Sequence, residues 1–200
     1  MKVDRVKVLS VDECRVICEW FESEKHKFKI STENGEEYIS AAESNLNKDF
    51  PYIHELLNKR ISKNILSQFS PLLGFMEVKK SFACRYTISS SPSMPFHYDG
   101  DDYTVLIYLN EDFEGGGTSF PLLNKTLRVS EIGVGNGYIF SGLNPKSWHG
   151  ALPITSGKRY TISVRVVRIS ILFRIFNMFR IFILMPFTFL LNKFHNLRTK

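Results

Sequence analysis

Two hundred residues, 44% of them hydrophobic, suffice for one compact domain with a core of its own and leave room for an appendage. Cys14, Cys18 and Cys84 form neither a regular even set nor a CxxC or Cys/His zinc spacing, which excludes a disulfide framework and a structural zinc and predicts a reducing, cytoplasmic setting. The formal net charge is +6, but Arg165, Arg168, Arg174, Arg180, Lys193, Arg198 and Lys200 lie in an end segment without Asp or Glu. The rest of the chain is close to neutral, so no nucleic-acid partner is expected.

The N-terminus, MKVDRVKVLS, is interrupted by Asp4, Arg5 and Lys7 and has no apolar run of signal-peptide length, so secretion is not expected. Ser10 and Glu13 have the spacing of a capping box, and Cys14, Ile17, Cys18 and Phe21 then share one helical face, which predicts a helix over 11–23. A polar, Gly- and Asn-containing stretch (24–50) follows. After Pro51, Ile53, Leu56, Leu57, Ile61, Ile65 and Phe69 recur at three- and four-residue intervals and predict a second helix.

From Met76 onward the pattern changes to short runs rich in β-branched and aromatic residues: EVKKSFACRYT, YTVLIYLN, TSFPL, TLRVS, GYIFS and RYTISVRVV. Gly, Pro, Asn and Asp punctuate them. Strands of this length and spacing predict an antiparallel sandwich or barrel rather than βαβ units, and with the helices before them an α+β domain over 1–168. Residues 169–191, ISILFRIFNMFRIFILMPFTFLL, are too apolar for an ordinary surface helix. Arg180 at the centre would cost about 2.5–3.5 kcal/mol in a spanning helix. Arg174, Asn177 and Arg180 share one sector, as in a basic hydrophobic helix lying in a membrane interface, with 169–200 as a separate tail; a tail anchor, packing against the domain or a second subunit, and a disordered segment are the alternatives.

His97 and Asp99 are two apart, and on an extended segment such residues point to the same side and can share an ion. H-x-[DE] alone is common by chance, and a turn-forming pair before the DGDD loop is the competing reading. His149, after the Gly-rich GVGNGYIFSG segment and at the start of an expected strand, can reach the pair across the two sheets of a sandwich. Two imidazoles and one carboxylate on one side of a metal leave three positions open, as in non-haem Fe(II) oxygenases, whereas a structural zinc would call for a fourth protein ligand. Arg159 offers a two-pronged donor to a cosubstrate carboxylate, with a surface ion pair as the alternative. Thr161 shares its face, and Tyr86 and Tyr108 lie on strands flanking the HxD segment, where packing roles are equally open to them.

RY in FACRYT, the metal pair in FHYDG, VLIYLN, the GGGTSFP turn, GNGYIFSG, the distal WHG and the closing GKRYTISV together resemble the catalytic domain of the prolyl 4-hydroxylase-like branch of the Fe(II)/2-oxoglutarate-dependent oxygenases. With VLSVDECRVICEWF the resemblance covers residues 6 to 167. It implies N-terminal helices on a double-stranded β-helix, or jelly roll, with His97, Asp99 and His149 as iron ligands and Arg159 on the distal carboxylate of 2-oxoglutarate. It further implies Tyr108 and Thr161 assisting Arg159, Tyr86 lining the same pocket, O2 as cosubstrate and ascorbate as reductant. The reaction implied is hydroxylation of a peptidyl or small-molecule substrate, peptidyl proline first, with release of succinate and CO2. Arg at position 159 departs from the Lys common in collagen-type members. The competing function is a catalytically silent, membrane-attached jelly-roll binding module. A cupin-type site is disfavoured because Tyr98 and Gly100 stand where a further ligand would be needed. Neither substrate nor oligomeric state is set by the sequence.

Overall fold

The computed structural model describes residues 3–29, 32–33, 36–37, 42–61, 75–89 and 91–169. The expected C-terminal helix and the end of the second expected helix lie outside these residues. Among the described residues no helix is long and apolar enough to cross a membrane.

Ser10 caps the first helix, α1 (Val11–Ser23), through a complete capping box with Glu13, which explains why its start is legible in the sequence. Two short elements follow within the polar stretch, the strand β4 (Ala42–Asn45) and the helical turn α2 (Leu46–Asp49). Before them Thr32–Glu33 (β2) pairs with Glu36–Glu37 (β3). Pro51 opens α3 (Pro51–Ile61).

The remaining strands form two facing sheets. The larger has the order β1 (Asp4–Lys7), β11 (Asn136–Ser141), β7 (Tyr103–Tyr108), β13 (Ile154–Ile169), β5 (Phe75–Thr87) and β4, with β8 (Phe113–Gly115) also on β13. The smaller has the order β10 (Lys125–Leu127), β9 (Thr118–Phe120), β12 (His149–Ala151) and β6 (Met94–His97). Every pairing is antiparallel. TLRVS departs from its expected strand, because only its start pairs and Val129–Ile132 turns into a short helix, α4.

One face of the large sheet, with Ala83, Val105, Ile107, Ile162 and Val164, packs against Cys14, Ile17 and Phe21 of α1 and Ile53, Leu57 and Ile61 of α3. Glu22 of α1 ties the helix to the sheet by accepting from Arg85 Nε (3.1 Å), Lys158 Nζ (2.8 Å) and the Tyr160 hydroxyl. The other face turns toward the small sheet and carries the polar side chains that matter for function.

Candidate metal and carboxylate site

His97 and His149 are cross-strand partners on β6 and β12. The expectation that they meet across the two sheets is therefore corrected: they are neighbours within the small sheet, with ring centroids 4.6 Å apart. Gly150 permits this, because a Cβ there would stand 2.9 Å from the Met94 carbonyl oxygen and 3.1 Å from the Phe96 ring. Asp99 spans the gap instead. Its carboxylate is fully buried, Oδ2 accepting from the Thr104 hydroxyl of β7 and Oδ1 ion-pairing with Arg165 of β13.

Asp99 Oδ1 lies 3.3 Å from His97 Nε2 and 3.7 Å from His149 Nε2. Metal bonds of about 2.1 Å place neighbouring ligand atoms about 3 Å apart, so the three atoms fit one ion with small adjustments. The hydrogen bonding around the rings favours the same reading. Nδ1 of His97 is 2.8 Å from the Pro95 carbonyl oxygen and Nδ1 of His149 is 2.8 Å from that of Ser147. A carbonyl only accepts, so each Nδ1 carries the proton and each Nε2 presents a lone pair toward the other ring and Asp99. Burial pushes both imidazoles down from the usual 6.5, His149 to about 4 with help from neighbouring His97, which keeps both neutral at pH 7. His149 is further fixed between Phe120, stacked at 5.2 Å, and the edge-on ring of Phe140 at 5.1 Å. Asp99 Oδ1 has no donor in hydrogen-bonding geometry, despite its ion pair. The donor set fits a divalent cation.

Arg159 is completely buried. Its guanidinium lies over the rings of Tyr86 (4.6 Å) and Tyr108 (5.3 Å), and it donates to Thr118 Oγ1 (3.1 Å) and the Gly117 carbonyl (3.5 Å). Its Nε has no acceptor, and among the described residues no carboxylate lies within ion-pair distance. A buried, unpaired cation is costly. A bound carboxylate removes that cost, so this residue too fits the group expected of it.

The cavity between the sheets is lined by His97 and His149 at one end and by Tyr86 and Thr118, both touching Arg159, at the other. Tyr86 is where the sequence reading placed it, and burial raises its phenol pKa so that it remains a donor. Tyr108 lies with its ring beneath the Arg159 guanidinium, while its hydroxyl donates to the Leu127 carbonyl (3.0 Å) and stands 3.2 Å from Thr118 Oγ1. Thr161 lies opposite Cys84 and Tyr108 in the sheet, its buried hydroxyl interacting with the Cys84 thiol and the Tyr86 phenol. Sequence reasoning missed Thr118, read only as part of a Gly-rich turn, and Arg165, counted with the basic tail. It also missed Glu43, hidden in a polar stretch. The alternation R-Y-T-I-S-V-R was the available signal for Arg165, since it puts Arg159 and Arg165 on one face.

No family model matches the chain. In sequence it is similar to procollagen-lysine,2-oxoglutarate 5-dioxygenase 1 of Mus musculus, 36% identical over 86 residues, which are 40% of this chain and 11% of that protein. The chain thus matches only a small part of the relative's length. In fold it is similar to the viral collagen prolyl hydroxylase of Paramecium bursaria Chlorella virus-1 in its 2OG complex, with a TM-score of 0.54, 18% identity, and coverage of 83% of this chain and 96% of that one. A prolyl hydroxylase of Trichoplax adhaerens, solved with a hypoxia inducible factor oxygen degradation domain peptide fragment, gives a TM-score of 0.55 at 15% identity over 82% of this chain and 83% of that one. These structures establish the jelly-roll fold. The resemblance read from the motifs holds: in sequence and in fold the chain is similar to the Fe(II)/2-oxoglutarate-dependent oxygenases with prolyl 4-hydroxylase-like domains.

Proposed function

We propose that the protein is an Fe(II)- and 2-oxoglutarate-dependent dioxygenase that hydroxylates a peptidyl substrate, with proline the first residue to test. The observation that carries this reading is the pairing of a His97, Asp99, His149 cluster, whose two histidines line a cavity, with a fully buried arginine that lacks a carboxylate and lies against two other residues of that lining, Tyr86 and Thr118. A silent binding module has no need of both, and the comparisons do not favour it.

In this reading His97 Nε2, His149 Nε2 and Asp99 Oδ1 hold the iron, with Nδ1–H bonds to Pro95 and Ser147 fixing the tautomers. Arg159 and the Thr118 hydroxyl receive the distal carboxylate of 2-oxoglutarate, with the buried Thr161 hydroxyl beside Cys84 and Tyr86 as a further donor. Tyr86 and Tyr108 wall the guanidinium from water, which strengthens its hold on an anion. Bound together with O2, iron and 2-oxoglutarate supply the oxidising power that inserts oxygen into a substrate C–H bond and release succinate and CO2. Ascorbate, as the reductant that keeps the iron ferrous, is part of the same proposal.

The test is succinate formation from 2-oxoglutarate by anaerobically Fe(II)-loaded protein, with prolyl peptides present or absent and ascorbate present or omitted. Turnover in the wild type that disappears in His97→Ala and in Arg159→Ala is expected. A wild type that neither binds Fe(II) nor consumes 2-oxoglutarate would end this reading. Membrane attachment through 169–191 is a separate part of the proposal, resting on the amphipathic pattern of those residues. Deleting 170–200 is expected to abolish co-sedimentation with anionic vesicles and to leave metal binding intact; a full-length chain that never sediments with them disposes of the idea.

A further inference from the structure

Arg165 lies on the same face of β13 as Arg159, and its side chain lines the cavity together with His97 and His149. The register of β13 on β5 shifts directly after it, and such a bulge re-aims the side chain beside it. Its Nη1 donates to the Thr104 hydroxyl (3.1 Å) and ion-pairs with Asp99 Oδ1, while the Thr104 hydroxyl donates to Asp99 Oδ2. A purely structural ion pair could use either carboxylate oxygen. This one stands on the oxygen that both imidazoles face. It is a contact of charge without hydrogen-bonding geometry, so Oδ1 can be shared with an ion and no directed bond is lost.

The guanidinium is largely buried, and in such surroundings its charge is felt by the groups about it, including His97 and Glu43 of β4. Glu43 lines the cavity as well. It offsets only part of the Arg165 charge, because burial disfavours its ionised form and its side-chain hydrogen bond comes from the Cys84 thiol (3.8 Å). In the empty site Asp99 and Arg165 neutralise each other. A divalent ion held by Asp99 lies one carboxylate oxygen away from this fixed positive charge and is repelled by it, whereas 2-oxoglutarate brings two negative charges into the same cavity and is attracted. The two effects are opposite in sign and similar in size.

We propose that Arg165 is a positioning residue that makes retention of the metal depend on the cosubstrate: it steadies Asp99, repels a lone divalent ion and attracts the dianion that joins that ion. The inference rests on the oxygenase reading above and adds a regulation of the same site to it. The repulsion lowers the affinity for the metal alone, and the attraction raises the affinity of the metal-loaded site for 2-oxoglutarate. In the complex with both ligands the two nearly cancel. The charge of Arg165 therefore leaves the filled site as stable as a neutral residue would, and depopulates the site that holds metal without cosubstrate.

The test uses the full chain and reads binding without turnover: Mn(II) alone is titrated by electron paramagnetic resonance, and 2-oxoglutarate is titrated into the Mn(II)-saturated protein by calorimetry. Arg165→Gln keeps a donor for Asp99 and removes the charge, whereas Arg165→Lys keeps the charge. The glutamine variant is expected to bind Mn(II) about ten-fold more tightly than wild type and 2-oxoglutarate about ten-fold more weakly, with the lysine variant within about three-fold of wild type for both. Opposite signs are the signature, because a residue that only supports the fold or only aims Asp99 would weaken both ligands on removal. Weaker Mn(II) binding by Arg165→Gln, unchanged affinity for either ligand, or a lysine variant that behaves like the glutamine one would each overturn the proposal. Circular dichroism checks folding, and Arg165→Met, also uncharged, supplies the same comparison if the glutamine variant does not fold. Binding of 2-oxoglutarate by Mn(II)-loaded wild type, compared with Arg159→Ala, reports separately on the oxygenase reading: its absence in the wild type sinks both, and its presence with Arg165→Gln weakened toward both ligands sinks this inference alone.

Discussion

The two faces of β13 do opposite work. Ile162, Val164 and Val166 point to the helices and join the largest apolar cluster, while Arg159, Thr161, Ser163 and Arg165 point to the small sheet. In an ordinary sandwich strand the polar half of such an alternation faces water. Here Thr161 and Arg159 are as thoroughly buried as Ile162. Burying apolar surface favours folding, whereas burying a guanidinium or hydroxyl without a partner opposes it. One strand therefore gains stability on one side and gives some of it up on the other, and the side that gives it up holds the candidate chemistry.

The largest expected effect separates the faces by function. Arg159→Met should lower succinate formation by about 100-fold or more, since two charge-assisted hydrogen bonds at about 1.5 kcal/mol each are lost. Its thermal midpoint should stay level or rise, because the substitution replaces an unpaired buried cation by an apolar chain. A midpoint falling by many degrees would mean that Arg159 is a structural residue. Across the strand, Ile162→Ala should cost about 3 kcal/mol in denaturant unfolding and leave Mn(II) affinity of the folded protein unchanged. Weakened metal binding there would show that the faces are not separable.

These two faces were unequally legible in the sequence. The apolar side is visible as period-two alternation, and α1 was bounded to the residue because Ser10 and Glu13 state its start in local chemistry. His97, Asp99 and His149 were found because their residue types are rare outside metal sites in that combination, although the sequence could not say that the two histidines are in-sheet neighbours. Strand pairing is a long-range property, and spacing along the chain does not encode it. Glu43 was missed for a related reason: AESN has no β-branched residue, and only its pairing with Arg85 to Phe82 makes it a strand. Arg165 was read within the RYTISVRVV strand yet counted with the basic end segment, because its partner Asp99 lies on a different part of the chain and charge counting does not see such a pair. Thr118 looked like turn material because the glycines before it dominate the local pattern.

A smaller effect probes the small sheet, where burial holds His149 at about 4 against the usual 6.5. Between those values the unfolded chain takes up a proton that the folded site refuses, so unfolding is coupled to proton uptake and stability rises with pH. In the metal-free protein the contribution from His149 is thus complete above 6.5 and is lost as the pH falls toward about 4. It is read as the difference in thermal midpoint between wild type and His149→Gln across that window, which cancels other titrating groups. A pH-independent difference would show that the imidazole is not held neutral by its surroundings.

The finest division runs through a single hydroxyl. Thr118 Oγ1 accepts from Arg159 Nη2 at 3.1 Å and lies 3.2 Å from the Tyr108 hydroxyl, so it joins the small sheet to both rows of the large one. Tyr108 keeps its bond to the Leu127 carbonyl when Thr118 is changed, and valine preserves the β-branched shape that β9 packs with. Thr118→Val should therefore alter stability by less than about 1 kcal/mol, and it leaves a second guanidinium nitrogen without its partner. If Thr118 only fills space, the affinity for 2-oxoglutarate stays as in the wild type. If it orients Arg159 toward a carboxylate, that affinity falls by about five- to ten-fold at unchanged Mn(II) affinity, the outcome expected from a bond that aims the guanidinium along the cavity rather than supporting the fold.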